Sequence, residues 1–268
     1  MIKLENTEVI GWEAVIRGMR NPLNSWDKSD SGWDVHIPPI ELRNQVDWEQ
    51  WATHYKTVQY NDEYTYDIGP NDSDLMKRLR NAGTDHRKFM RMITVYVDVI
   101  APLYWWKEFD TYKVGTVANS CSTMHKIAAK EFTVDDFSHE HLMNYNDVSH
   151  PEDSCCNWDW EGCGIITPID ILKETINMLN KARTMYLKTK DTNYWWQMIQ
   201  LLPSSYNQRR TVMLNYEVLA NIYKSRRNHK LDEWHVFCDW IDGLPYSQLI
   251  TGEFDKNKYF EHKEEGTK

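Results

Sequence analysis

The 268-residue chain is poor in the residues that staple or punctuate a fold, with five cysteines, nine prolines and eleven glycines. Cys121, Cys155, Cys156, Cys163 and Cys238 are odd in number and include no CxxC pair, which argues against both a disulfide framework and a zinc ribbon. No GxGxxG and no GxxxxGK occurs, so neither a Rossmann nor a P-loop nucleotide site is expected, and a nucleophile elbow is missing too. Long hydrophobic runs are absent. The most apolar stretch, Val95 to Trp106, is interrupted by Asp98 and falls short of the roughly 20 residues that a membrane-spanning helix needs. Met1-Ile2-Lys3-Leu4-Glu5 lacks the basic and apolar regions of a signal peptide, so the expectation is a cytoplasmic protein with free thiols and no membrane partner.

What is present is aromatic and charged. Thirteen tryptophans suit a well-filled core, and a chain of this length buries about three quarters of its unfolded surface. Net charge is −9, from 31 Lys and Arg against 40 Asp and Glu, but its distribution is uneven. Residues 77–91 carry six bases against Asp85, and residues 209–230 carry six against Glu217, so each island is +5 and the remainder is −19. Nine of the acids fall in 131–161, where there is no Lys or Arg. Two basic islands in an acidic chain point to a local anionic ligand; a long nucleic acid would require a broad basic face. His139, His141, His150, Cys155, Cys156 and Cys163 match no zinc signature, and no metal is expected.

Apolar periodicity predicts helices over residues 9–20, from Asp72 or Ser73 to Gly83, from Pro102 to Phe109, from Thr167-Pro168 through Tyr186, and over about 193–201, 207–227 and 231–241. Met92 to Val99 alternates and is rich in β-branched residues, so it reads as a strand broken by Ala101-Pro102. Residues 24–70 read as an elaborated loop with one short helix near Ile40 to Trp51, 131–166 as an insertion, and 255–268 as a frayed tail. The fold class is therefore α+β, in one domain over 1–268 with insertions at 24–70 and 131–166.

Three segments, taken in order, carry a resemblance. A helix ends at Gly83 with His86 and Phe89 after it; a strand runs to Ala101-Pro102, followed by a helix and a polar loop; Leu202-Pro203 then leads to Asn215, Leu219, Asn221 and Arg226. This order resembles the flavin-dependent thymidylate synthases, and Ala14 and Arg17 echo that family's first helix. Counted from Ala101-Pro102, the family's Arg-His-Arg positions fall on Thr111, Tyr112 and Lys113, and its motif serine on Thr116. Its following polar loop falls on Ala118, Asn119, Cys121, Thr123 and Met124. One cation of the motif remains, and an arginine's bidentate grip on phosphate is not reproduced by threonine.

The resemblance implies a small mixed or antiparallel sheet packed with several helices, of the thymidylate-synthase-complementing type. It implies transfer of one carbon to C5 of a dUMP-like pyrimidine deoxynucleotide, with methylenetetrahydrofolate as donor, FAD as hydride source and a homotetrameric assembly. Cofactor contacts then fall to His86, Lys88, Lys113, Asn215 and Asn221, and substrate contacts to Thr116, Ser122, Arg209 and Arg226. Asn119 and Cys121 occupy the catalytic loop. Two alternatives stay open: flavin-independent hydroxymethyl transfer with Cys121 attacking ring C6, and a non-catalytic oligomeric protein of the same fold. Trp105-Trp106 and Trp195-Trp196 suit oligomer contacts as well as a core.

Overall fold

A computed structural model describes residues 2–33, 66–144 and 167–252 of the chain. The expected helix near 40–51, the acidic residues from 147 to 161, His150, Cys155, Cys156, Cys163 and the tail lie outside these. The fold is α+β. A four-stranded sheet has the order β1-β4-β6-β5, built from β1 (Lys3–Ile10), β4 (Thr94–Pro102), β5 (Val117–Ser120) and β6 (Asn207–Asn215). A separate antiparallel pair joins β2 (Gly32–Trp33) to β3 (Tyr66–Asp67). Cα packing divides the chain into two compact units. One comprises Met1–Glu8, Tyr96–Leu214 and Ile222–Gly243; the other comprises Val9–Val95, Asn215–Asn221 and Leu244–Lys268.

In the first unit, helix α3 (Leu103–Phe109) starts directly from β4. Its first orphan N–H groups find partners outside the helix: Leu103 N donates to the Tyr206 carbonyl and Tyr104 N to the Ser204 carbonyl, both at 3.0 Å. Trp105, Trp106 and Phe109 of α3 are buried with Trp234 and Phe237 of α8 (Asp232–Asp242). The ring centroids of Trp105 lie 4.7 Å from Trp234 and 5.0 Å from Trp106. Truncating an aromatic in such a cluster to alanine costs about 3–5 kcal/mol. A second cluster gathers Ile127, Phe132, Phe137, Leu172, Ile176, Leu179 and Met198. Its long member is α5 (Pro168–Thr189), started as expected by Thr167 and Pro168; the Thr167 hydroxyl donates to Asp170 Oδ2 at 2.7 Å in a capping box. Phe132 and Phe137 thus lie in the core, although the expected insertion begins at 131. Helix α6 (Thr192–Leu201) returns from α5 through Lys190, which holds a left-handed φ of 59°.

In the second unit, α1 (Trp12–Arg20) buries Val15, Ile16 and Met19, while α2 (Pro70–Asn81) buries Met76. Gly11 precedes α1 at φ 103°, and a Cβ there would stand 2.7 Å from the Met92 carbonyl oxygen, so only glycine fits. Arg80 donates to the carbonyls of Leu249 and Ile250 in α9 (Gln248–Thr251). The Arg20 and Asp72 side chains are 2.6 Å apart and both buried.

Four expectations are corrected. Residues 207–215 form strand β6, with helix α7 (Tyr216–Arg226) only after it; Gln208, Val212 and Leu214 are buried at even spacing, and pairing with β5 overrides the helical propensity of the arginines and Met213. The helix expected over 9–20 begins at Trp12, because Val9 and Ile10 end strand β1. Ala101-Pro102 does not break β4 but completes it. The helix expected from Asp72 or Ser73 begins at Pro70 after the N-cap Gly69, and the Asp72 carboxylate is a buried acceptor.

Candidate functional site

The second unit holds a cavity of about 960 Å³. Met19, Leu23, Leu75, Leu79, Phe89 and Met92 give it apolar walls, and Arg20, Lys28, Arg78, His86 and Lys88 give it a cationic rim, against Asp74 and Asp85. Counting histidine as neutral, four bases face two acids, a lining charge of +2. Arg20 is committed to Asp72, and Arg78 forms an exposed ion pair with Asp74 at 3.0 Å. Among the described residues, Lys28, His86 and Lys88 have no side-chain hydrogen-bond or ion-pair partner. An apolar wall beside unpaired cations fits a flat aromatic group carrying phosphate. His86 and Lys88, expected as cofactor contacts, thus line one cavity. Lys28 was not legible: it sits in a polar segment with no periodicity. Arg78 lay inside the basic island at 77–91 without being singled out.

The first unit brings Asn119, Cys121, Ser122 and Arg209 together along the β5–β6 ladder. Asn119 faces Thr211 across the ladder. Cys121 prolongs it, donating its N–H to the Arg209 carbonyl at 2.9 Å and accepting at its own carbonyl from Gln208 Nε2 at 3.0 Å. Its thiol is free and exposed. Ser122 caps the short helix α4 (Thr123–Lys126), its hydroxyl accepting from His125 N at 3.1 Å. The Arg209 guanidinium meets Asp98 at 2.7 Å and Glu5 at 3.3 Å. Asp98 also accepts from the Thr211 hydroxyl at 2.6 Å and Asn6 Nδ2 at 2.9 Å. The Thr211 bond first, then Arg209 and Asn6, hold its carboxyl down to a pKa of about 2, so it is charged at neutral pH. Just before β5, the Thr116 hydroxyl is buried with no hydrogen-bond partner among the described residues. An orphaned hydroxyl is costly to keep, and a ligand acceptor or donor would satisfy it.

The remaining expected positions are dispersed. Arg226 is held at 2.8 Å by Glu108, donates to the Tyr112 hydroxyl at 3.0 Å and lies 4.8 Å over the Trp234 ring. The Thr111 hydroxyl donates to the Glu108 carbonyl at 2.7 Å, so two of the three Arg-His-Arg positions finish helix α3. Lys113 is exposed in the turn that follows. Asn215 Oδ1 accepts from Val218 N at 3.0 Å and helps start α7, on which Asn221 is exposed. Arg210 pairs with Asp110 at 2.8 Å, and Arg227 with Asp239 at 2.7 Å. The island at 209–230 is therefore largely discharged by neighbouring carboxylates, which one-dimensional charge counting does not detect. At 77–91, Arg87 bonds Glu217 at 3.0 Å, yet Lys88 has no partner among the described residues. Among the described residues no group of three histidine, cysteine or acidic side chains is placed to hold a metal ion.

No family model matches the chain, and no curated protein does. Solved structures do. The chain is similar to thymidylate synthase X of Helicobacter pylori, crystallised with FAD and dUMP, at TM-score 0.47 and 15% identity over 84% of this chain and 98% of that one. It is also similar to a UMP/dUMP methylase, PolB, from Streptomyces cacaoi bound with 5-Br dUMP, at TM-score 0.48 and 13% identity over 91% of this chain and 88% of that one.

Proposed function

We propose that the protein is a thymidylate-synthase-type transferase that moves one carbon to C5 of a pyrimidine deoxynucleotide. The observation that carries this reading is the cavity: His86 and Lys88, assigned to the cofactor by the sequence resemblance, both stand on its rim beside an apolar wall with no partner among the described residues. FAD is the group such a lining suits, held in this reading by His86 and Lys88, and when bound it would supply the hydride that turns a transferred carbon into methyl; Lys113, Asn215 and Asn221, the other expected cofactor contacts, lie outside the cavity lining. Methylenetetrahydrofolate is the proposed carbon donor. Lys88 offers a point charge for phosphate. Substrate binding falls to Thr116, Ser122, Arg209 and Arg226. Thr116 brings a hydroxyl with no partner among the described residues, whereas the Arg226 and Arg209 guanidinium groups, already donating to Glu108 and Asp98, would reach phosphate only with their remaining N–H groups. The protein acts in the cytoplasm as a homotetramer in this reading.

A second reading is favoured by the fate of the Arg-His-Arg positions. Thr111 and Tyr112 are spent on helix α3 and Arg226, and Cys121 is exposed beside Asn119. In transfer without reduction the Cys121 thiolate, with Asn119 beside it, would add to ring C6, C5 would take the methylene carbon as tetrahydrofolate leaves, water would add to that carbon to give hydroxymethyl, and loss of the C5 proton would expel the thiolate from C6. An absorbance spectrum of the purified protein, followed by titration with FAD and with dUMP, separates the possibilities. Flavin bands or saturable FAD binding support the first reading. Binding of dUMP alone supports the second. Absence of both defeats both and leaves a non-catalytic protein.

A further inference from the structure

Two glycines of the second unit give way to one residue, Met92. Gly11 stands before α1 against the Met92 carbonyl, and Gly18, inside α1, stands against the Met92 side chain. A Cβ on Gly18 would lie 3.2 Å from the Met92 sulfur and 3.3 Å from its terminal methyl, inside the roughly 3.5–4.0 Å at which such atoms attract. Gly18 is not among the glycines with positive φ, so its helical backbone does not require glycine, and glycine inside a helix is less favourable than alanine. What the missing side chain provides is a notch, and the Met92 thioether lies in it. Met92 is nevertheless 45% exposed, and it lines the cavity together with Gly18, Met19, Leu75 and Phe89. Methionine is unbranched and polarizable, and its sulfur makes favourable contacts with aromatic rings.

We propose that Gly18 and Met92 are the specificity-determining pair of this cavity: Met92, seated in the Gly18 notch, is the wall that a flat aromatic group meets, and the absent side chain at 18 sets how far that wall stands back. The inference rests on the cofactor reading of the cavity and adds two residues that the sequence resemblance does not assign. An alanine Cβ at 18 is fixed by the helix, so Met92 has to give by a few tenths of an ångström. Its backbone is tied by the N–H bond to the Phe89 carbonyl at 2.9 Å, which leaves the flexible thioether to move away from α1 and into the space that both residues line. One methyl is small against about 960 Å³. The cations at Lys88 and Lys28 are therefore undisturbed, and the ring alone loses its fit.

Titration of the full chain with FAD, read by flavin fluorescence, and with inorganic pyrophosphate, read by calorimetry, separates the ring from the phosphates. Gly18→Ala is expected to weaken FAD about fivefold, the worth of a sulfur–aromatic contact, and to leave pyrophosphate unchanged while circular dichroism stays native. Met92→Ala, at a half-exposed position, is expected to weaken FAD by a similar factor. Adding Gly18→Ala to Met92→Ala should then cost nothing more, because the group it displaces is gone. FAD affinity indifferent to Met92→Ala, additive losses in the double variant, or equal losses of FAD and pyrophosphate in Gly18→Ala overturns the inference and leaves the cofactor reading standing. A wild-type protein that does not bind FAD overturns both.

Discussion

The most heavily bonded carboxylate in the second unit is Asp72, and replacing it by asparagine is the sharpest test of how that unit is held. Its oxygens accept from Arg20 Nε at 2.6 Å, from the Ser29 and Ser31 hydroxyls at 2.7 Å each, and from the N–H groups of Asp30 and Ser31 at 3.2 Å. They therefore tie the segment after α1 to α2, which also forms walls of the cavity. Asparagine keeps the shape, removes the charge and leaves Arg20 buried without a counter-ion, a loss of about 3–5 kcal/mol. Burial alone would push the Asp72 carboxyl up, but the Ser31, Ser29 and Arg20 hydrogen bonds and the Arg20 charge outweigh it and hold the group below the ordinary range. Its contribution is thus complete above the unfolded pKa of about 3.9 and is lost as pH falls through the lower folded value. Urea denaturation at neutral pH should show Asp72→Asn far less stable than the parent, with the difference shrinking in acid. Arg20→Met combined with Asp72→Leu should cost less than the two single changes added. Equal midpoints at neutral pH, or a difference that persists unchanged in acid, would refute the reasoning.

Lys88→Ala and His86→Ala should each weaken FAD binding by about tenfold or more, the worth of one charge-assisted hydrogen bond, as read by fluorescence titration. Cys121→Ser should leave a flavin-dependent reaction intact and abolish a flavin-independent one; product analysis with and without FAD reads the difference. Lys190→Gly should stabilise the α5–α6 hairpin, because a non-glycine left-handed residue costs about 1 kcal/mol. The Lys190 N–H bond to the Tyr186 carbonyl at 2.8 Å is unaffected by the change, and calorimetry should show Tm raised by about 2–4 °C.

The helices with a strong cap and one apolar stripe were legible. Thr167-Pro168 opens α5 as its sequence implies, and the β-branched run after Met92 is β4. Strands with polar exposed faces were not: β1 and β5 are mostly exposed, so no alternation marks them, and β6 hides behind residues that favour helices. The same physics limited the site. His86 and Lys88, singled out through the resemblance, line the cavity, whereas Lys28 reaches it only through the tertiary bonds that fold its segment onto Asp72. Charge islands were a poor guide where the arginines alternate along β6 and α7, since Asp98, Asp110 and Glu108 come from distant positions to meet them.

The central claim is chemical, and product formation tests it most directly. The protein is incubated with dUMP and methylenetetrahydrofolate, with and without FAD and a reductant, and the nucleotide is recovered for mass spectrometry. The account predicts a nucleotide bearing a new one-carbon group at C5, methyl when FAD is required. An unchanged nucleotide under every condition, from a protein that binds neither FAD nor dUMP, would contradict it.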